Sequence, residues 1–564
     1  MTRRRPSFLE LLVIPVVLAA GTWLWLTHAD AGDVGGGSPI LNYDTAQYAL
    51  AARELAWHGR FAMPYALPIE LQHHASPPWP LATVQPGVVL VEALAYRLVP
   101  ARGGFARSDR RAAFTLVLPF ICFLLGGAGL ALSTRHVVAR YWPEASGAMR
   151  AAAALMVGLA FVLDPEAQRF AIGGFTEMPF TLGMLLATFG LALEIPAASP
   201  LRYGLVLGLT GLFHPNMLAL APVFAVAAAW SGPRQGAWRT LGLVLLGWAL
   251  PLAPWWLYKW REFGSPGWDL TNYLVWDGIR GHNWFSLFHQ ATLPVLPHGT
   301  EAVALIAGKM LRNLPGLLGA MLLGPRGLWL GALAAWLVFA RPTRPFAATA
   351  LAALAAAALG VLSAAATLPS LHYMFPARVI VEPLGMLALW ALIARLPAAA
   401  VSRPMRWTLL ALVAVLALGW GAWSTQRGLA QARVGASTRG MPATRTLTAL
   451  SIVLAPRIPP GEPIMSNLGP TLAWQTNHPV VHLALAPGDV EACRHHLDFR
   501  HILLVFRDPR AAWGQWGEIV AREGSAGTLG LDVAHEMRFV TPDGFQVVWL
   551  ELRPLGPALA AAAR

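Results

Sequence analysis

Apolar and polar positions fall in long blocks along most of this chain. From Leu9 to Thr27 almost every residue is apolar, and comparable runs recur near 112–134, 149–163, 178–195, 201–213, 217–231, 240–258, 327–340, 346–366, 379–394 and 407–423. Runs of this kind suit α-helices crossing about 30 Å of hydrocarbon, and together they predict about eleven spans, some shorter than the roughly 20 residues a span prefers. Two further apolar stretches are interrupted. Leu81–Val99 contains Gln85, Pro86, Glu92 and Arg97, and Ala302–Leu323 contains Lys309, Arg312 and Pro315. These read as helices lying at the membrane interface.

From about Gln426 the blocks give way to short runs. Pro463–Asn467, Pro479–Leu483 and His501–Phe506 read as buried strands, Gly488–Leu497 as a helix, and Phe539–Trp549 as two strands around Pro542-Asp543-Gly544. The expected fold class is therefore an α-helical polytopic membrane protein with a large first outer loop and a small C-terminal α/β domain. The expected division is 1–425, holding the spans and the outer loop 28–107, and a soluble 426–564.

Composition agrees with the pattern. Of 564 residues, 56% are hydrophobic and 13% charged, and a soluble chain would be about one quarter charged. The net charge of +13 does not point to nucleic acid, because the arginines lie in short loops between spans. With the N-terminus in the cytoplasm behind Arg3-Arg4-Arg5, the inner loops carry Arg135, Arg140 and Arg150; Arg202; Arg234 and Arg239; Arg341 and Arg344; and Arg395, Arg403 and Arg406. Arg102, Arg107, Arg110 and Arg111 run counter to that scheme. An odd number of spans places the tail outside, and Asp44, Glu177, the 260–300 loop and His372 on the same outer face. The start is read as an uncleaved span rather than a signal peptide. Cys122 sits in an apolar run and Cys493 in the tail, so no disulfide is expected.

The candidate chemistry begins with Asn42-Tyr43-Asp44-Thr45-Ala46-Gln47-Tyr48-Ala49-Leu50, just after the first span, followed by Ser76-Pro77-Pro78-Trp79-Pro80. Asp44-Thr-Ala-Gln47 fits a capping box, and a capping carboxylate stays ionised and can still act as a base. Tyr48 shares its helix face. The arrangement resembles the first outer loop of the lipid-phosphate-dependent, multi-spanning glycosyltransferases of the GT-C type, which include protein O-mannosyltransferases and aminoarabinose transferases. There the acidic residue of the first loop activates the acceptor. The family often has a lysine just before the Pro-Pro element, where this chain has Ser76.

The resemblance extends to Gly173-Gly-Phe-Thr-Glu-Met-Pro-Phe180, whose Glu177 matches the family's second acidic position; a first-turn acid complementing the helix dipole is the plainer reading. Asp164 and Glu166 rank below it, because Asp164-Pro165 reads as a helix end. His214-Pro215-Asn216 stands where the family often has a basic residue, and also reads as an interhelical turn. Leu371-His372-Tyr373-Met-Phe-Pro-Ala-Arg378 resembles an aromatic–proline stretch, with Arg378 either on a lipid phosphate or snorkelling. The 260–300 loop offers Trp268, Asp269, Asn272, Tyr273, Trp276, Asp277, Arg280 and His282, and Arg280 is the second candidate for phosphate.

The resemblance implies an inverting glycosyltransferase with a polyprenyl-phosphate sugar donor, a lipid, glycan or protein acceptor, and a catalytic face outside the plasma or inner membrane. Asp44 and Glu177 are its catalytic candidates, and Tyr48, His372, Tyr373, Arg378, Arg280 and His214 its substrate-binding ones. No cofactor is expected. The adjacent His73 and His74 lack a spaced third ligand, so no metal is expected. A secondary transporter is disfavoured because no inverted repeat is evident; a non-catalytic scaffold with a sensory outer domain is the remaining alternative.

Overall fold

The computed structural model describes residues 7–31, 43–98, 112–233, 235–323, 325–340, 342–396, 402–435, 444–454 and 456–555. Asn42 and the arginines at 102, 107, 110 and 111 lie outside them. The chain forms two compact units, each assembled from three separate stretches.

The first unit comprises Met1–Gly32, Leu116–Tyr258 and Ile306–Gly435, and it is helical. Every apolar stretch expected to span is a helix. Among the described residues, six helices are long and apolar enough to cross a membrane, and up to eight if each of two bent pairs counts as one span. The rest are short: Glu177–Ala192 has 16 residues, Pro200–Gly211 has 12 and Met217–Ser231 has 15. The helices Gly147–Val162 and Pro165–Gly173 form one bent pair, turned by 55°. The bend falls where expected, since Asp164 leaves the helical conformation and caps the helix that Pro165 begins. Phe123, Phe161, Phe180, Phe224 and Leu387 fill the core, while Leu125, Leu186, Leu209, Leu246 and Val415 face outward. An apolar outer surface of this extent is costly in water and suits lipid. Gly204 and Gly208 on Pro200–Gly211, and Gly247 on Ala237–Phe263, lie so close to the opposite helix that a Cβ at any of them would overlap a facing backbone carbonyl.

The second unit comprises Asp33–Thr115, Lys259–Leu305 and Ala436–Arg564. Its centre is a six-stranded sheet in the order Tyr65–Ala66, Val480–His482, Ile464–Ser466, His501–Phe506, Gln546–Leu552, Val533–Val540. The first four strands are parallel and the last two pairings antiparallel. The expected tail strands are all present, and the Pro542-Asp543-Gly544 turn closes with Thr541 N–H donating to the Phe545 carbonyl at 2.8 Å. The hairpin's first strand starts at Val533, earlier than Phe539. The edge strand Tyr65–Ala66 comes from the stretch between Phe8–Ala31 and Ala112–Tyr141. Its core includes Leu71, Trp79, Met465, Phe499, Leu504, Trp516 and Leu550. The apolar stretch expected from Leu81 is helical only over Pro86–Leu98, because Pro86 opens the helix and 81–85 forms neither helix nor strand.

Candidate active site

Asp44 lies in the first turn of the helix Tyr43–His58. It follows Tyr43, already helical, so it is not the N-cap of a capping box. Its carboxylate instead complements the helix dipole from within the first turn, which favours the ionised form. Asp44 and Tyr48 are half-buried, one turn apart. Thr45, Ala46 and Gln47 are buried, and Thr83 Oγ1 donates to Gln47 Oε1 at 3.4 Å.

Beside this helix the second unit buries a group of polar side chains. The hydroxyls of Tyr43 and Tyr65 are hydrogen-bonded, and both rings stand edge-on to His482, at 5.4 and 6.1 Å. His482 lies 4.6 Å from the His289 ring and stacks parallel to Trp513. Burial raises both phenols above their ordinary range, so they remain protonated. Burial also pushes His289 down to about 4 and His482 well below the usual imidazole range, so both rings are neutral. His289 Nδ1 bonds to the Phe285 carbonyl at 2.7 Å, which makes Nδ1 the protonated nitrogen.

Glu70 belongs to the same buried group. Its Oε2 accepts from the Leu67 backbone N–H at 2.7 Å. Burial pushes its carboxyl up to about 8, against the opposing pull of that N–H and of Lys259. Lys259 Nζ donates to the carbonyls of Leu81 and Ala82 at 3.0 and 2.8 Å. Gln85 Nε2 donates to Asp269 Oδ2 at 3.1 Å, and Asp269 caps the 3-10 turn Leu270–Trp276. Arg280 is exposed, has a left-handed backbone (φ 51°) and pairs with Glu301.

In the first unit, Glu177 begins the helix Glu177–Ala192 and is half-buried. Phe180, one turn on, stacks on His214 at 4.7 Å. His214 Nδ1 accepts from the Asn216 backbone N–H at 3.2 Å, so this ring closes the turn. His372 is in the turn Leu371–Met374, with its side chain outside the described atoms; Tyr373 is exposed.

Arg378 is 4% exposed. Its guanidinium contacts Asp164 at 2.8 Å, Glu166 at 2.9 Å and Glu382 at 3.6 Å. Arg326 approaches Glu382 at 3.7 Å. Three carboxyls thus already engage the Arg378 guanidinium. Its partner Glu382 was legible from the i,i+4 spacing. Asp164 and Glu166 were not, lying more than 200 residues away in sequence. Sequence reasoning also missed Glu70, Thr83 and Lys259, which carry no motif. Among the described residues no three His, Cys, Asp or Glu side chains converge to hold a metal ion.

No family model matches the sequence, and no curated protein does either. The fold does have counterparts among solved structures. One is ArnT from Cupriavidus metallidurans in its apo state, 16% identical, with a TM-score of 0.53 over 95% of this chain and 97% of that one. Another is the Archaeoglobus fulgidus oligosaccharyltransferase, 13% identical, with a TM-score of 0.53 over 94% of this chain and 74% of that one.

Proposed function

We propose that this protein is an integral-membrane, inverting glycosyltransferase that takes a sugar from a polyprenyl-phosphate donor and delivers it to a lipid, glycan or protein acceptor. The observation that carries the reading is a half-buried carboxylate, Asp44, in the first turn of the first-loop helix, in a chain whose fold matches ArnT over almost its full length. The helix dipole keeps Asp44 ionised at neutral pH. Its carboxylate accepts the proton of the acceptor hydroxyl as that oxygen attacks the anomeric carbon. The bond from sugar to phosphate breaks on the opposite face, and its electron pair leaves with the lipid phosphate. Tyr48 flanks the acceptor, and Glu177 is the second candidate carboxylate of the reaction.

The leaving phosphate needs a cation. Arg280 meets that need better than Arg378. The Arg280–Glu301 pair is exposed, at 56% and 52%, and such pairs are worth about 0–1 kcal/mol, so an incoming phosphate exchanges for the carboxylate readily. Arg378 instead anchors the bent pair 147–173 to the helix Phe375–Ala394. In this reading the chain crosses the membrane about eleven times, with the catalytic face and the C-terminal sheet region outside.

The test is turnover of purified protein with a defined polyprenyl-phosphate sugar. Asp44→Asn is expected to cut the rate about 100-fold or more with insertion and folding unchanged, and Glu177→Gln to weaken it strongly. Near-normal turnover of the Asp44→Asn protein would reduce Asp44 to a dipole-complementing residue and remove the proposed base.

A further inference from the structure

Of the 42 basic residues in the chain, only Lys259 and Lys309 are lysines. Both are buried, at 2% and 3% exposure. Arginine therefore serves every basic position at the surface and in the loops, and orientation in the membrane does not account for the two lysines. A lysine in such a chain marks a place that a guanidinium does not fill.

The surroundings of Lys259 show what that place requires. Residues 81–85 form neither helix nor strand, so their backbone carbonyls need donors from elsewhere. The Lys259 ammonium supplies two, to the consecutive carbonyls of Leu81 and Ala82. Its other side faces the stacked rings of Phe263 and Trp268, at 5.1 and 5.4 Å. A compact tetrahedral ammonium straddles two adjacent carbonyls inside that aromatic wall; a wide planar guanidinium directs its N–H groups along a fork and does not. The Asp269 carboxylate lies within electrostatic range and compensates the buried charge. The anchored segment carries two further links. Thr83 Oγ1 donates to Gln47 Oε1, one turn beyond Asp44, and Gln85 Nε2 donates to Asp269.

We infer that Lys259 is a positioning residue for Asp44: its ammonium fixes the irregular segment 81–85, and that segment, through Thr83 and Gln47, sets the first turn of the helix that presents the carboxylate. Lys259 touches no reacting atom in this account. The inference rests on the reading of Asp44 as the base, and one of its two measurements does not depend on that reading.

Hydrogen exchange on the full-length protein in detergent or nanodiscs reads the strap directly. Lys259→Met and Lys259→Arg are both expected to speed exchange of amides in 79–86 about 10-fold or more, with the helix Phe375–Ala394 unchanged. Unchanged exchange in 79–86 overturns the strap, whatever the activity. Kinetics with a polyprenyl-phosphate sugar read the positioning. The Lys259 variants and Thr83→Val, which keeps the side chain's shape and deletes only its hydrogen bond, are expected to lower kcat, by about 10-fold or more for the Lys259 variants and several-fold for Thr83→Val, with donor KM within about twofold. If the Lys259 variants do not accumulate, Thr83→Val carries the kinetic test alone. Wild-type kcat in Thr83→Val, or equal changes in kcat and KM, overturns the positioning role. A wild-type protein with no turnover defeats the proposed function, while the exchange measurement still decides the strap.

Discussion

At the scale of single residues, burial governs the chemistry of the second unit. Glu70 shows it most plainly, with its carboxyl pushed up to about 8 from an ordinary 4.5 by desolvation. Between those two values the folded protein holds a proton that the unfolded chain has released. Stability therefore falls as pH rises through that window, and levels off above about 8. Glu70→Gln keeps an acceptor for the Leu67 N–H but cannot titrate. The thermal midpoint of the wild type is expected to drop more steeply between pH 5 and 8 than that of the variant. Parallel curves would show that Glu70 titrates normally. The buried histidines 289 and 482 act in the opposite sense. Their pKa values are depressed, so the unfolded chain binds more protons below about pH 6.5, and stability is lost as pH falls there. Comparing wild type with Glu70→Gln cancels that contribution.

At the scale of elements, the close approach of two helices makes the sharpest expectation. Gly204 and Gly208 lie four residues apart on Pro200–Gly211 and face the backbone of Ala237–Phe263, the arrangement by which small residues let membrane helices pack tightly. Gly204→Val or Gly208→Val drives a side chain into a carbonyl. The folded yield in detergent, read by size-exclusion chromatography and thermal midpoint, is expected to fall sharply, whereas Gly242→Val, which meets open space, is tolerated. Equal behaviour of the three variants would contradict the packing. Elements of this kind were largely legible in the sequence. The strands Ile464–Ser466, Val480–His482 and His501–Phe506 announced themselves as short β-branched and aliphatic runs between turn residues. Tyr65–Ala66 did not, because two residues show no alternation, and its place in the sheet is decided by the partner strand Val480–His482. Glu177 was legible as a first-turn acid heading an apolar helix, whereas Asp44, read as a helix cap, stands one position inside its helix. The carboxylates around Arg378 and the strap from Lys259 depend on pairings far apart in the chain, and local spacing carries no record of those.

For the whole molecule, the distribution of arginine makes the testable statement. Arg135, Arg140, Arg150, Arg202, Arg239, Arg344, Arg395 and Arg406 flank helices of the first unit at ends expected to face the cytoplasm. A fluorescent protein that matures only in the cytoplasm is expected to stay dark when fused after Arg564, and an alkaline phosphatase fused there to be active. A bright fusion would invert the scheme and place Asp44 on the inner face.

The edge strand Tyr65–Ala66 also sets an order of events in time. Its hydrogen-bonding neighbour, Val480–Val481, follows it by about 400 residues. At the 5–20 residues per second at which chains are made, the loop leaves the ribosome roughly 20–80 s before its partner strand exists. Through that interval the two-residue strand, and the Tyr65 hydroxyl that will bond Tyr43, have no sheet to join. The helix that presents Asp44 therefore acquires its final surroundings only when synthesis is nearly complete. A nascent chain arrested before Val480 should hold its helices in the bilayer while leaving residues 60–72 open to protease.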